Sequence, residues 1–447
     1  MRPPALAAAL ALTLAAVAGA FMPPEVASGG SIDPGDTAWM LTASALVLLM
    51  TPGLSFFYGG MVRRKNVLST MLQSYVAMGV VSLLWVTVGF SLAFGDSIGG
   101  VVGDPRTFLF LNGVGSGSSE ALSPTIPLAL FALFQLKFAI ITPALVTGSF
   151  AERVRFSAYI LFIVLFSVFV YAPLAHMTWH PDGLLRQAGV LDFAGGTVVH
   201  MSAGLAALAG AWWLGPRDAH QPGHTHEPAH IPYVLLGTGM LWFGWFGFNA
   251  GSSLGANGTA VQAFLTTNTA SAAAMVAWLV LESLRGGKPS AMGACIGAVV
   301  GLVAITPAAG FVTLGASLFI GAFASGVSFF LVHLKNRTRL DDTLDVFPCH
   351  GAGGMVGMLL TGVFSSKTIN PAGADGLLYG GTDLFVRHTI ALGAVTVAVF
   401  AASAAIYAIV DRILPLRVGL EAERVGLDRS QHGERVFGPD DDALAAK

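Results

Sequence analysis

Asp192-Phe-Ala-Gly-Gly-Thr-Val-Val-His200 opens a long apolar segment that runs to about Leu214 and carries two ionisable side chains into it. Asp192 stands where a helix should start, as an N-cap whose carboxylate can bond the free first-turn amides. His200 follows eight residues later, about 12 Å deeper at about 1.5 Å per residue. In a bilayer with about 30 Å of hydrocarbon, that is close to mid-depth. An ionisable group there is costly and reads by default as part of a functional site. Ala194, Gly195 and Gly196 would let a neighbouring helix approach closely.

The rest of the chain agrees with a membrane setting. Hydrophobic residues make up 54% and charged residues 11%, against about 25% charged in an average soluble domain. Apolar runs of spanning length recur from end to end, which predicts an all-α polytopic membrane protein. The net charge of -2 gives no case for a nucleic-acid partner. The two cysteines, Cys295 and Cys349, both sit inside apolar runs, which leaves no disulfide framework and no Cys-based metal site. Residues 1–20 have a single basic residue, Arg2, an alanine-leucine run and Ala18-Gly19-Ala20; they read as a signal peptide cleaved after Ala20.

Eleven spans are predicted: 38–61, 67–94, 125–150, 156–176, 193–214, 231–252, 259–281, 291–309, 311–334, 346–364 and 385–413. Together they form a transmembrane domain over 21–413, followed by a polar tail, 414–447. The odd-numbered loops carry Arg63, Arg64 and Lys65; Arg153 and Arg155; Arg217; Arg285 and Lys288; and Lys335, Arg337 and Arg339. The alternate loops hold Arg106, Arg186, Lys367 and Arg387. By the positive-inside rule the mature N-terminus lies outside and the tail in the cytoplasm. Eleven divides as five plus five plus one long helix. Five spans reverse direction, so the second five would be an inverted copy of the first, with a substrate site at mid-membrane. The fifth span brings in His200 from outside. The tenth, through Asp345-Val-Phe-Pro-Cys-His350-Gly-Ala-Gly-Gly, brings in His350 from the cytoplasm, so the two histidines are expected to meet.

An imidazole in hydrocarbon has two nitrogens to satisfy and no water to do it, which favours a functional pair over packing residues. A metal would need a third or fourth ligand, and none has suitable spacing. Phe134 and Phe138 share a face of the third span. Trp242-Phe-Gly-Trp245-Phe-Gly-Phe248-Asn-Ala-Gly-Ser252 ends the sixth span at its outer mouth, and Trp179 lies just outside the fourth. Such rings can be lipid-belt residues or a cation–π cage worth about 0.5–2 kcal/mol per ring, with the Ser252 hydroxyl adding a hydrogen bond. Beyond the rings stand neutral imidazoles, with no carbonyl or carboxylate ring to solvate a permanent charge. That path suits a cation able to shed its proton. Ammonium can; potassium cannot.

Five motifs carry a resemblance that spans about residues 35 to 435: Phe56-Phe-Tyr-Gly-Gly60, Ala151-Glu-Arg-Val-Arg155, Asp192 to His200, Gly244-Trp-Phe-Gly-Phe-Asn-Ala-Gly-Ser252, and Asp345 to Gly351. The sequence resembles the ammonium transporters of the Amt/Mep/Rh superfamily, on the bacterial Amt side. The resemblance implies a homotrimer in the bacterial inner membrane with one pore per subunit and no cofactor. It makes Trp179, Phe138 and Ser252 an outer ammonium site, with Asp192 as the nearby acidic residue in a structural and electrostatic role. Phe138 and Phe248 become a stacked gate with Phe134 and Trp245 nearby, and His200 and His350 the twin histidines of the conduction path. Methylammonium is the natural analogue. The tail motif Gly426-Leu-Asp428-Arg-Ser-Gln-His432-Gly433 resembles a cytoplasmic regulatory segment that receives a PII signalling protein of the GlnK type.

Some residues stand outside this pattern. Lys137 falls beside Phe138 in the third span and is expected to point away from the pore, at a subunit interface or snorkelling along it. His180-Pro181 follows Trp179 where the resemblance implies a glycine-rich turn. His220, His224, His226 and His230 read as a solvated loop. Three rival readings remain: an ammonium sensor signalling through its tail, an intramembrane metalloenzyme, and Rh-like transport of carbon dioxide or amines.

Overall fold

The computed structural model describes residues 31–220 and 227–436; the expected signal peptide, His224, His226 and the end of the tail lie outside the described residues. Among the described residues are eleven apolar helices: α1 (Pro34–Met61), α2 (Arg64–Phe94), α3 (Leu128–Ser149), α4 (Phe156–Gln187), α5 (Gly196–Leu214), α6 (Ile231–Gly251), α7 (Gly258–Leu284), α8 (Ala291–Ile305), α9 (Leu314–Lys335), α10 (Phe347–Phe364) and α11 (Asp383–Ile413). Ten are long and apolar enough to cross a membrane, and α8 is shorter. The molecule is a multi-pass membrane protein. The only strands among the described residues are Ser97–Ile98 and Val102–Gly103, a short antiparallel pair between α2 and α3.

Two expected boundaries are corrected. The eighth span was expected over 291–309, but α8 stops at Ile305, because Pro307 cannot continue the helical hydrogen-bond ladder. The chain continues as a buried turn, with Ala308 and Ala309 out of contact with solvent. The fifth span was expected over 193–214, with Asp192 as its N-cap. Gly195 instead takes φ 113, which an L side chain rarely adopts, and the helix begins at Gly196.

Helix contact is set by small residues, as expected where lipid supplies no hydrophobic drive for helices to associate. On α6, Gly237, Gly244 and Gly247 face Phe57, Met50 and Ala43 of α1 so closely that an added Cβ would overlap them. Gly204 of α5 meets the backbone of Gly351 on α10 in the same way. The two helices that carry His200 and His350 therefore cross at glycines, one turn or less from the imidazoles. Each also opens with a wider, π-wound turn, Gly196–Met201 and Phe347–Ala352, which contains the histidine.

The loops after α1, α3, α5 and α9 gather at one end of the bundle. Glu152 accepts from Arg63 N at 2.7 Å and from Arg217 Nη1 at 3.0 Å. Asp341 takes Arg217 Nε at 2.8 Å, while its carbonyl takes Arg153 Nη2 at 2.6 Å. Burial opposes ionisation of Asp341, but Arg153 and Arg217 outweigh it and hold the carboxyl below its ordinary range.

Candidate functional site, from the outer vestibule to the paired histidines

A vestibule of about 670 Å³ opens at the end of the molecule where α5 begins. Phe138, Trp179, Asp192 and Ser252 all line it. Trp179 is the last residue of its helical stretch, since Pro181 follows two residues on. Its ring meets Phe138 edge-on, with centroids 5.7 Å apart. The indole N–H donates to the Asp192 carbonyl at 3.1 Å. The Ser252 hydroxyl donates to Phe248 O at 2.8 Å, so its oxygen keeps only acceptor capacity for anything in the vestibule. An acceptor beside two aromatic faces suits a small N–H-rich cation.

Below this vestibule the path is closed by rings. Phe138 and Phe248 pack with centroids 4.2 Å apart but tilted by 31° from the expected stack, and both are buried. Phe138 lines the outer vestibule, while Phe248 lines the next cavity inward. Phe134 lines neither; it meets Phe138 at 4.9 Å and 64° and so backs the outer ring.

The inner cavity is lined by His200, His350, Trp245 and Phe248 with aliphatic side chains including Leu145 and Val299. Its volume is about 10 Å³, roughly the space that admits one water. His200 Nδ1 and His350 Nδ1 lie 3.3 Å apart, with rings 23° from parallel. Trp245 stacks on His200 at 5.2 Å and 18°, and its own N–H is held by Thr306 Oγ1 at 2.9 Å. His200 Nε2 is buried with no hydrogen-bond partner among the described residues.

Asp192 is not positioned as a helix N-cap: it lies three residues before Gly195, the residue that flanks the helix. Its carboxylate still collects the free amides. Oδ1 accepts from Gly195 N at 2.8 Å and Gly196 N at 2.7 Å; Oδ2 accepts from Thr197 N at 2.8 Å and Val198 N at 3.3 Å. Four such bonds occupy both oxygens. The counterpart in the second half is Asp342, which the sequence reading missed. It accepts Val346 N at 3.1 Å and Phe347 N at 2.7 Å at the start of α10. Asp345, the acid quoted at the head of that motif, does not have this role. It takes φ 58 and pairs with Lys335 Nζ at 2.6 Å. The missed signal was spacing: Asp342 precedes His350 by the same eight residues that separate Asp192 from His200.

A family model described as the Ammonium Transporter Family matches residues 38–437. The chain belongs to that family. The ammonium transporter of Bacillus subtilis is 47% identical over 406 residues, which is 90% of this chain and 98% of that one. Among solved structures, Saccharomyces cerevisiae Mep2 superposes with a TM-score of 0.82 at 32% identity, covering 88% of this chain and 89% of Mep2. A sensor Amt protein superposes at 0.81 with 29% identity, covering 89% of this chain and 98% of its own.

The transporter's other end holds a second vestibule of about 620 Å³, lined by Arg217, Arg285, Lys335, Asp341 and Asp345 among others. The tail packs next to it. Asp428 accepts Ser69 N at 2.7 Å and Leu68 N at 3.1 Å, capping α2, and Leu427 N donates to Asn66 Oδ1 at 2.8 Å. His432 sits edge-on to Phe156 at 4.9 Å, and Gly426 and Gly433 both take positive φ. Lys137 lines neither vestibule nor the histidine cavity. It is 9% exposed, and no ion-pair partner for it is found among the described residues. His230 caps α6 by accepting Tyr233 N at 3.2 Å, and His220 faces Asp341 at 3.4 Å. No cluster of three metal-ligating groups occurs among the described residues.

Proposed function

We propose that this transporter recruits ammonium at its outer vestibule, strips one proton, and passes ammonia between the two histidines to the cytoplasm. The observation that carries this reading is the linked imidazole pair at the end of a narrow, otherwise apolar cavity, behind two closely packed rings. A bare cation in that cavity would lose its hydration and gain no carboxylate or carbonyl cage in return, a loss far larger than for a neutral molecule. A neutral ammonia keeps hydrogen bonds to imidazole nitrogens. Sodium and potassium cannot become neutral and are rejected.

Recruitment falls to Trp179 and Phe138 as π faces and to the Ser252 oxygen as acceptor. Asp192 acts by geometry: it fixes the first turn of α5 and offers its carbonyl to Trp179. Phe138 and Phe248 form the gate, with Phe134 and Trp245 as supports. In the pair, one Nδ1 donates and the other accepts, so the two neutral rings hold opposite tautomers. A released proton taken up at Nε2 of the donor ring lets the shared proton pass to its partner, whose Nε2 proton then leaves; both rings end neutral with their tautomers exchanged, which gives the proton a route separate from ammonia.

In this reading the protein is a homotrimer of the bacterial inner membrane with its mature N-terminus outside, its first twenty residues removed as a signal peptide, and its tail in the cytoplasm. In the docked tail Gly426 and Asp428 are buried and anchor the segment, while His432 and Gly433 lie nearer the surface, where a PII signalling protein of the GlnK type closes the exit. Methylammonium is carried as an analogue. The sensor Amt protein among the structural relatives keeps a sensing role as the second reading; ammonium-dependent signalling from a pore-blocked variant would favour it.

The test is ammonium or methylammonium flux in liposomes, comparing wild type with His200→Ala, His350→Ala and Phe248→Ala. Each histidine variant is expected to lower the rate or admit larger cations, and Phe248→Ala to weaken selectivity. Unchanged rate and selectivity in all three would overturn the site assignment.

A further inference from the structure

We infer that His388, on α11 and outside the pore, is a positioning residue that sets the geometry of the outer ammonium site. Both nitrogens of this fully buried imidazole are engaged. Nε2 lies 3.0 Å from Leu191 N, which can only donate, so Nε2 is the acceptor. Nδ1 lies 2.7 Å from the Met358 carbonyl, which can only accept, so Nδ1 carries the proton. One neutral tautomer satisfies both contacts, and the ring is locked between two segments.

Those segments are the ones that build the site. Leu191 immediately precedes Asp192, whose carbonyl holds the Trp179 indole at 3.1 Å and whose carboxylate collects the first amides of α5. Met358 lies on α10, the helix of His350, and its sulfur accepts Thr197 Oγ1 at 3.4 Å from α5. Arg387, the neighbour of His388, adds a bond from Nη1 to the Ala188 carbonyl at 3.1 Å. The start of α11 therefore fastens the connection 188–191 at two points, and through Asp192 that connection carries Trp179. Without the imidazole, Leu191 N–H is left buried or must move, and the Asp192 carbonyl moves with it.

This inference rests on the reading of Trp179 as part of the recruitment site, and its test separates the two. Methylammonium uptake into liposomes is measured against concentration for wild type, His388→Met, His388→Gln and Trp179→Leu. His388→Met fills the space but has no donor for Met358 O and only a weakly accepting sulfur for Leu191 N. It is expected to raise the half-saturating concentration about tenfold, the scale of one lost hydrogen bond, with the maximal rate within about twofold. His388→Gln supplies both an acceptor for Leu191 N and a donor for Met358 O, and is expected to restore half-saturation to within about threefold. An unchanged half-saturating concentration in His388→Met, a loss of maximal rate alone, or a glutamine variant no better than methionine would overturn the role. If Trp179→Leu raises half-saturation and His388→Met does not, the positioning role alone fails. If Trp179→Leu has no effect, the recruitment reading fails and takes this inference with it. Should His388→Met not fold, His388→Asn, too short to reach both partners, replaces it under the same criteria.

Discussion

Gly204→Ala puts one methyl group between the two helices that carry the histidines. A Cβ at Gly204 falls inside contact distance of the Gly351 Cα and N, and lies 3.1 Å from the His350 carbonyl carbon. All three are backbone atoms, so no side chain can swing aside. Carbon contacts relax at about 3.5–4.0 Å, so α5 and α10 must part locally by more than about 1 Å. His200 is one turn before Gly204 on the same face, and His350 adjoins Gly351. A separation of 3.3 Å between the Nδ1 atoms cannot absorb that shift and remain a hydrogen bond. Overpacking of this kind costs about 1–3 kcal/mol of stability, and the lost bond adds about 0.5–1.5 kcal/mol to the barrier between the rings. The assay is methylammonium flux in liposomes together with the melting temperature in detergent. We expect a melting temperature lowered but measurable and a flux reduced by about tenfold. Gly393→Ala on α11 is the control, because a Cβ there meets nothing within 4 Å. Wild-type flux from folded Gly204→Ala, or an equal loss from Gly393→Ala, would refute the claim that helix contact sets the histidine geometry.

Three other outcomes follow from the same geometry. Asp192→Asn turns one acceptor into a donor that faces the Thr197 and Val198 amides or their Gly195 and Gly196 equivalents; a loss of about 1–3 kcal/mol of stability and of most uptake is expected, while wild-type melting and uptake would count against the capping role. Burial raises the Asp342 carboxyl from its ordinary value to about 6. The folded state therefore favours the neutral acid: the stability this group lends is complete below about pH 4 and is lost as the pH rises through about 6, on the order of 3 kcal/mol. The melting advantage of wild type over Asp342→Asn should accordingly shrink from about pH 4 to pH 7, and a pH-independent difference would exclude the effect. Asp428→Ala frees the Leu68 and Ser69 amides, so hydrogen exchange across 420–433 should quicken by about tenfold while the α5 and α10 amides keep their wild-type protection; unchanged exchange in the tail would show that other contacts dock it.

The membrane architecture was legible because apolar runs of spanning length leave few alternatives, and the His200–His350 meeting followed from an odd span count with matching histidines. Helix ends were less legible. Hydropathy continues smoothly through Ala194-Gly195 and through Thr306-Pro307, while backbone geometry does not: Gly195 adopts positive φ, and Pro307 ends α8. Asp342 lies three residues before the Asp345-to-Gly351 motif, so the motif does not mark it. Only the eight-residue spacing, compared between halves, separates them. His388 carried no motif at all. Its importance depends on the fold bringing Leu191 and Met358 to opposite sides of one ring, and nothing local in the sequence encodes that.

Asp192 and Asp342 show why acids that bond backbone amides matter in such a pore. A helix that begins inside a protein in a membrane leaves several amides with no water to receive them, and each unsatisfied group costs several kcal/mol. A π-wound first turn, as in α5 and α10, shifts the bonding pattern there and makes the need more acute. A carboxylate meets that need with both oxygens, and in doing so fixes the rotation of the helix about its axis. Rotation is the quantity that decides whether the histidine eight residues on faces the channel or a neighbouring helix. The same carboxylates are spent on amides and cannot serve as cation ligands in the path. An acid free to bind a cation at the waist would hold potassium and ammonium alike, so the use of these acids as caps and the discrimination attributed to the neutral imidazoles are parts of one arrangement.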